Sequence, residues 1–132
     1  MIWILKHMLN KYNHNLLSLY VHWPYCESKC PYCDFNTYAK IEHLMPSYMD
    51  ALCKELLVWA SVLKTHTIQT IFFGGGTPSY LPVNDLKRIL DLVRTNFGCD
   101  LSEITIEVNP NDIEYKNIDG FLDMGINRDS IG

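Results

Sequence analysis

Hydrophobic positions along the chain alternate between two periods, and the alternation predicts the elements. Residues 16–22, LLSLYVH, are a short apolar run with β-formers and predict a buried strand that Pro24 ends. After a long irregular stretch, Tyr48, Leu52, Leu56, Trp59 and Leu63 recur at steps of four, four, three and four. That spacing predicts one apolar face of a helix, with Pro46 in its first turn. Thr67 to Phe73 predicts a second strand, closed by GGGTPS. Leu86, Ile89, Leu90, Val93 and Phe97 predict a helix over about 83–97, stopped by Gly98. A third strand runs from Glu103 to Val108 and ends at Asn109 and Pro110. A weaker helix covers about 112–124 before Gly125, and Ile126 to Ile131 predicts a fourth strand.

Strand and helix therefore alternate, which predicts a parallel sheet with right-handed crossovers. The expected fold is α/β, the N-terminal part of a (β/α) barrel with about four parallel strands and three helices. A complete barrel takes about 200 residues or more. The chain has 132 and its last residues, SIG, fall inside a strand, so it reads as a fragment. Residues 1–15 are rich in Asn, His and Lys with weak periodicity, and are expected to be a loosely attached extension before a partial core domain at 16–132. No repeat or low-complexity segment interrupts this order.

Composition changes the picture little. Hydrophobic residues make up 48% and charged residues 20%, as in an ordinary globular domain. Eleven Lys and Arg against 15 Asp and Glu give a formal charge of −4, which offers no electrostatic case for a nucleic-acid partner. The opening apolar run stops at Lys6, and no stretch approaches the ~18 apolar residues of a transmembrane segment. A cytoplasmic protein is the expectation. Five cysteines are an odd count, and three of them fall within eight residues. In a reducing compartment that points to metal or redox chemistry rather than disulfides.

Cys26, Cys30 and Cys33 sit in the irregular stretch 23–41, and a loop this long usually has a function. Three thiolates can hold three irons of a 4Fe-4S cube and leave the fourth iron open to a small molecule. Tyr32 could shield such a cluster, and Pro31 stiffens the segment between the ligands. Two alternatives remain: a structural zinc site that adds His22 as fourth ligand, and free surface thiols. The spacing lacks the second CxxC knuckle that zinc sites usually carry. Gly74-Gly75-Gly76-Thr77-Pro78 follows a strand, lets a ligand approach the backbone and adds a hydroxyl, or else is a plain tight turn. It is not GxGxxG, and it lacks the phosphate-loop lysine. Glu107, near a strand end, either faces a polar site or is a solvated strand end, since an unpaired buried charge is costly. Cys53 and Cys99 read as core or surface thiols. Asp129 sits where a buried strand should be apolar, and either pairs with Arg128 or Lys116 or weakens the final strand.

The CxxxCx(aromatic)C spacing resembles the motif of radical SAM enzymes. The longer segments LYVHWPYCESKCPYCDF, IFFGGGTPSYL, EVNP and GINRDSIG resemble one branch, the oxygen-independent coproporphyrinogen III oxidases and their heme-chaperone relatives of the HemW type. The resemblance covers about 16–132. It implies that Cys26, Cys30 and Cys33 ligate a 4Fe-4S cluster, and that Tyr20, Tyr32, Gly75, Gly76, Thr77 and Glu107 contact S-adenosyl-L-methionine. It implies His22 near the site, or else packed and satisfied. It assigns no catalytic side chain, and it implies reductive cleavage of S-adenosylmethionine to methionine and a 5′-deoxyadenosyl radical. The oxidases add a fourth cysteine two residues after the third. Here that position is Phe35, and CDF resembles the heme chaperones. The expected partners are therefore heme or a porphyrin, an electron donor that reduces the cluster, and a heme-acceptor protein. Oxidation of coproporphyrinogen III and a zinc-stabilised fragment are the alternatives.

Overall fold

A computed structural model of the chain describes residues 1–6, 15–110 and 115–131. Ile2–Lys6 form a strand, β1, which runs antiparallel to β2, Leu16–Trp23, from Ile2 opposite Val21 to Lys6 opposite Leu17. This corrects the expected loose extension at its first residues. Ile2 is buried in the core and Ile4 packs against it, while Trp3 between them faces solvent. IWI is thus a short period-two pattern that earns an edge position on the sheet. Residues 7–14, the rest of that expected extension, lie outside the described residues.

Along β2 exposure alternates strictly, with Leu17, Leu19, Val21 and Trp23 buried and the residues between them half-buried. The run is therefore one-sided: its buried face meets helices, and its other face carries Ser18, Tyr20 and His22. The irregular stretch contains two short strands, β3 (Tyr25–Cys26) and β4 (Tyr38–Ala39), which pair in parallel and close the cysteine loop on itself. Helix α1, Met45–Val62, follows a short 3-10 turn at Glu42–Leu44 and carries Pro46 in its first turn as expected. Then come β5 (Thr67–Gly75), a 3-10 turn (Pro78–Tyr80), α2 (Val83–Asn96), β6 (Gly98–Val108), α3 (Tyr115–Asp123) and β7 (Arg128–Ile131).

The sheet order is β1-β2-β5-β6-β7, with β2, β5, β6 and β7 all parallel. Among the described residues this sheet's four parallel strands and the three α-helices match the expectation. The core fills the space between the sheet and α1 and α2: Met49, Leu52 and Leu56 from α1, Leu86, Ile89, Leu90 and Val93 from α2, and Ile68, Ile71, Phe73, Ile104 and Ile106 from the strands. Each fully buried Leu or Ile contributes roughly 1.5–3 kcal/mol. Among the described residues no helix is long and apolar enough to cross a membrane.

The buried stripe of α1 is turned slightly from the expected one. Met49, Cys53 and Ala60 are buried, while Tyr48, Trp59 and Leu63 flank them. Tyr48 has a specific task there. Its hydroxyl donates to the His22 carbonyl at 2.5 Å, which ties the helix to the end of β2. Its ring sits edge-on to Trp23 and Tyr25 at 5.8 and 5.5 Å. Burial, followed by the nearby Tyr25 and Glu55 charges, pushes the Tyr48 phenol far above its ordinary value. The sign follows: the unfolded chain releases this proton near pH 10, and the folded protein holds it longer. Stability is full below that pH and falls as pH rises past it. Tyr48→Phe should cost about 1 kcal/mol at neutral pH through the lost hydrogen bond. It should also reduce the further loss on going to about pH 11. Urea midpoints at the two pH values check both; an alkaline loss identical to wild type would remove Tyr48 as its source.

Candidate functional site

Parallel pairing brings the carboxyl ends of β2, β5 and β6 side by side. His22 lies opposite Gly74, Trp23 opposite Gly75, and Phe73 opposite Ile106, so Glu107 stands next to the glycine segment. Backbone hydrogen bonds then join the loops. The Gly76 N–H donates to the Trp23 carbonyl at 2.6 Å and the Thr77 N–H to the Tyr25 carbonyl at 2.9 Å. The Gly75 N–H donates to Glu107 Oε2 at 2.9 Å. Three separate strand ends thus form one connected rim, the arrangement that β/α barrels use for their sites.

The glycines are required by this closeness. Gly75 has φ +118°, in the left-handed region, and a Cβ there would lie 2.6 Å from the His22 ring. A Cβ on Gly76 would lie 2.5 Å from the Tyr25 carbonyl oxygen and 3.0 Å from Cys26 Sγ. Only residues without a Cβ let the two loops come this close.

Above this rim lies an open cleft of about 310 Å³, at the small end of ordinary ligand pockets. Cys26, Cys30 and Cys33 all line it. So do Tyr32, Gly75, Gly76, Thr77 and Glu107. Eight of the nine residues expected at the site therefore share one cavity. Cys26 and Cys33 are half-buried, Cys30 is exposed, and all three are free thiols. Tyr32 is 85% exposed at the mouth, so it covers less of the loop than a shield would. The Cys30 sulfur, by hydrogen bonding and then by charge, raises the Tyr32 phenol above its ordinary value.

Tyr20 is the ninth. It does not line the cleft but stands behind it, stacked on Phe72 with ring centres 5.8 Å apart. Burial, then the Glu107 charge, raises its phenol. Its hydroxyl lies 3.2 Å from His22 Nδ1, and His22 Nε2 lies 3.0 Å from the Asn36 carbonyl oxygen. A carbonyl can only accept, so Nε2 carries the proton of the neutral ring and Nδ1 accepts from Tyr20. Both nitrogens of His22 are therefore engaged. His22 does not line the cleft. Among the described residues no three His, Cys, Asp or Glu side chains gather tightly enough to hold one metal ion.

The cleft also holds residues that sequence reasoning did not single out. Thr37 is buried, with Oγ1 3.8 Å from Cys33 Sγ. Lys29 reaches across the loop to the carbonyls of Phe35 and Thr37 at 3.4 and 3.1 Å. Ser130 lies opposite Glu107 on β7. For Lys29 a signal existed, its place between two cysteines of the motif; for Ser130 only the strand register reveals it. Arg128 pairs with Glu103 at 3.2 Å rather than with Asp129, which is exposed on β7.

The family description "Radical SAM superfamily" matches residues 20–132. A protein named heme chaperone HemW, from Buchnera aphidicola subsp. Schizaphis graminum, is 41% identical over 118 residues, which is 88% of this chain and 31% of that one. The oxygen-independent coproporphyrinogen III oxidase of Escherichia coli is 36% identical over 124 residues, 92% of this chain and 27% of that one. A solved structure titled as coproporphyrinogen III oxidase (HemN) from Escherichia coli, a radical SAM enzyme, superposes with a TM-score of 0.79 at 36% identity. It covers 89% of this chain and 27% of that one. The chain spans less than a third of the length of these relatives.

Proposed function

The chain belongs to the radical SAM superfamily, and from that premise we propose that its cleft binds a 4Fe-4S cluster and S-adenosylmethionine in the service of heme handling. The observation that carries this reading is the shared cavity: three cysteines, a glycine edge where a Cβ would meet Cys26 Sγ, and a carboxylate line one opening. The donor set fits the group, because cysteine thiolates are the ordinary ligands of iron–sulfur clusters. Cys26, Cys30 and Cys33 would hold the cluster. Gly75, Gly76 and Thr77 would receive the methionyl end of S-adenosylmethionine, with Glu107 beside them, Tyr32 at the mouth and Tyr20 behind the rim. When bound, the pair supplies one-electron cleavage of the sulfonium, chemistry that belongs to the cofactor. The protein holds and orients both partners and limits water. Residues 16–132 form part of the radical SAM core, and an electron donor must reach the cluster.

Two functions are carried by relatives of this chain, heme chaperone and coproporphyrinogen oxidase. Phe35 favours the first. It occupies the position where the resembling oxidases place a fourth cysteine, and it lines the same cleft. We therefore read the chain as heme chaperone-like, with heme as cargo and a heme-acceptor protein as partner.

The test is anaerobic reconstitution of the purified chain, analysis of iron and sulfide, heme titration, and incubation with coproporphyrinogen III. The expected result is iron and sulfide in the cluster ratio, saturable heme binding and no conversion of the porphyrinogen. Turnover would shift the reading to the oxidase, and one equivalent of zinc without iron–sulfur absorption would overturn the cluster.

A further inference from the structure

The return leg of the cysteine loop is held by its carbonyls. Three successive carbonyl oxygens, of Phe35, Asn36 and Thr37, each accept a side-chain donor from earlier in the chain. Lys29 Nζ donates to the first and third, and His22 Nε2 to the second. Asn36 Oδ1 further accepts from the Tyr38 hydroxyl at 2.8 Å. Backbone pairing of β3 with β4 closes the loop below them. Lys29 is the unusual member. It lies between the ligands Cys26 and Cys30 in the chain and lines the cleft. Among the described residues its ammonium forms no ion pair with a carboxylate. The nearest sequence carboxylates, Glu27 and Asp34, are exposed. The Lys29 charge is met by carbonyl dipoles and solvent and by no paired carboxylate, so its field toward the cavity is screened but not cancelled.

We infer that Lys29 is a positioning residue with two effects on a cluster held by Cys26, Cys30 and Cys33, an inference that rests on the cluster reading above. First, it clasps residues 35–37 across the loop, which keeps Cys33 and Thr37 in register whether or not the cluster is present. Ordering a loop before binding removes part of the entropy cost of binding. Second, it raises the reduction potential. A cluster with three thiolates becomes more negative on reduction, and a fixed cation at the cavity wall favours the more negative state. Hydrogen bonds and net charge around a cluster are established levers on its potential. The sequence pattern hides both effects, since the contacts are to main-chain oxygens.

The test compares wild-type protein, Lys29→Met and Lys29→Arg after anaerobic reconstitution. Lys29→Met keeps the length and apolar stem but removes the charge and both hydrogen bonds. Lys29→Arg keeps the charge and the donors. The residue is exposed, so circular dichroism should report the same fold in all three. An EPR-monitored redox titration reads the potential, and the rate of iron loss to a chelator reads the clasp. For Lys29→Met the ratio of reduced to oxidised cluster at a fixed potential should fall about threefold or more, roughly 30 mV for a one-electron couple. Iron loss to the chelator should speed up by a similar factor, and Lys29→Arg should restore both. A Lys29→Met cluster with the wild-type potential, or one lost no faster than wild type, overturns the inference. Wild-type protein that assembles no cluster would instead sink the cluster reading, so the two failures are distinct.

Discussion

Cys30→Ser should give a folded protein that no longer keeps iron. Cys30 is exposed, and its main chain supports a local turn in which the Cys33 N–H donates to the Cys30 carbonyl at 3.1 Å. Serine preserves that backbone bond and nearly the same volume. Exposed substitutions of this kind change stability within about 0.5 kcal/mol. The chemistry changes far more, because a hydroxyl at neutral pH is a poor ligand for iron where a thiolate is a good one. On the proposed ligand set, losing one of three thiolates should lower iron per chain at least about tenfold, no less than the loss of an outer-shell partner causes. Two controls separate site from scaffold. Cys99 is exposed and outside the cleft, so Cys99→Ser should keep its iron. Cys53 is buried in the core, so Cys53→Ser should keep iron but lose roughly 1–3 kcal/mol through an added buried hydroxyl. Iron and sulfide analysis beside thermal melts decides the matter. Full iron in Cys30→Ser would remove it from the ligand set.

How far these outcomes could be read from sequence depends on which physical signal each residue leaves. Leu52 and Leu56, or Leu86, Leu90 and Val93, are buried because helical spacing puts them on one face, and spacing is visible in a string. The cysteines, the glycines and Glu107 were equally legible, since each lies at or just beyond the carboxyl end of a parallel strand and the topology brings such ends together. β1 was less so. Its pattern is three residues long and separated from β2 by a segment without periodicity, and only pairing with β2 gives it a place. β6 begins at Gly98 rather than at Glu103, because its first half is largely exposed and carries Asp100 and Ser102 in place of apolar residues. His22 illustrates a deeper limit. Whether a histidine is a ligand or a packed group depends on what meets its two nitrogens, and here one partner is the main-chain oxygen of Asn36. Main-chain partners leave no trace in residue identity. The same holds for the Lys29 clasp and for the Tyr48 bond to the His22 carbonyl.

The glycine rim permits the sharpest contrast in sign. Gly76→Ala should destabilise the protein and damage the site together, while Gly120→Ala should stabilise it. At Gly76 the added methyl would meet main-chain atoms: 2.5 Å to the Tyr25 oxygen, 2.9 Å to its carbonyl carbon, and then Cys26 Sγ at 3.0 Å. Main-chain atoms cannot swing aside as a side-chain tip can. Relief requires the two loops to part, which stretches the bonds from Gly76 N to Trp23 O and from Thr77 N to Tyr25 O. Overpacking of this kind costs about 1–3 kcal/mol. The same displacement moves Cys26, so iron retention and affinity for S-adenosylmethionine should both fall. Gly120 lies within α3, and a methyl there would make only ordinary contact with Val83 at 3.4 Å. Removing a helical glycine should therefore add up to about 1 kcal/mol with no change at the cleft. Denaturant midpoints, iron content and equilibrium binding of S-adenosylmethionine to the reconstituted proteins test the pair. If Gly76→Ala kept wild-type stability and iron, the close approach of the glycine loop to Cys26 would not be what shapes this site.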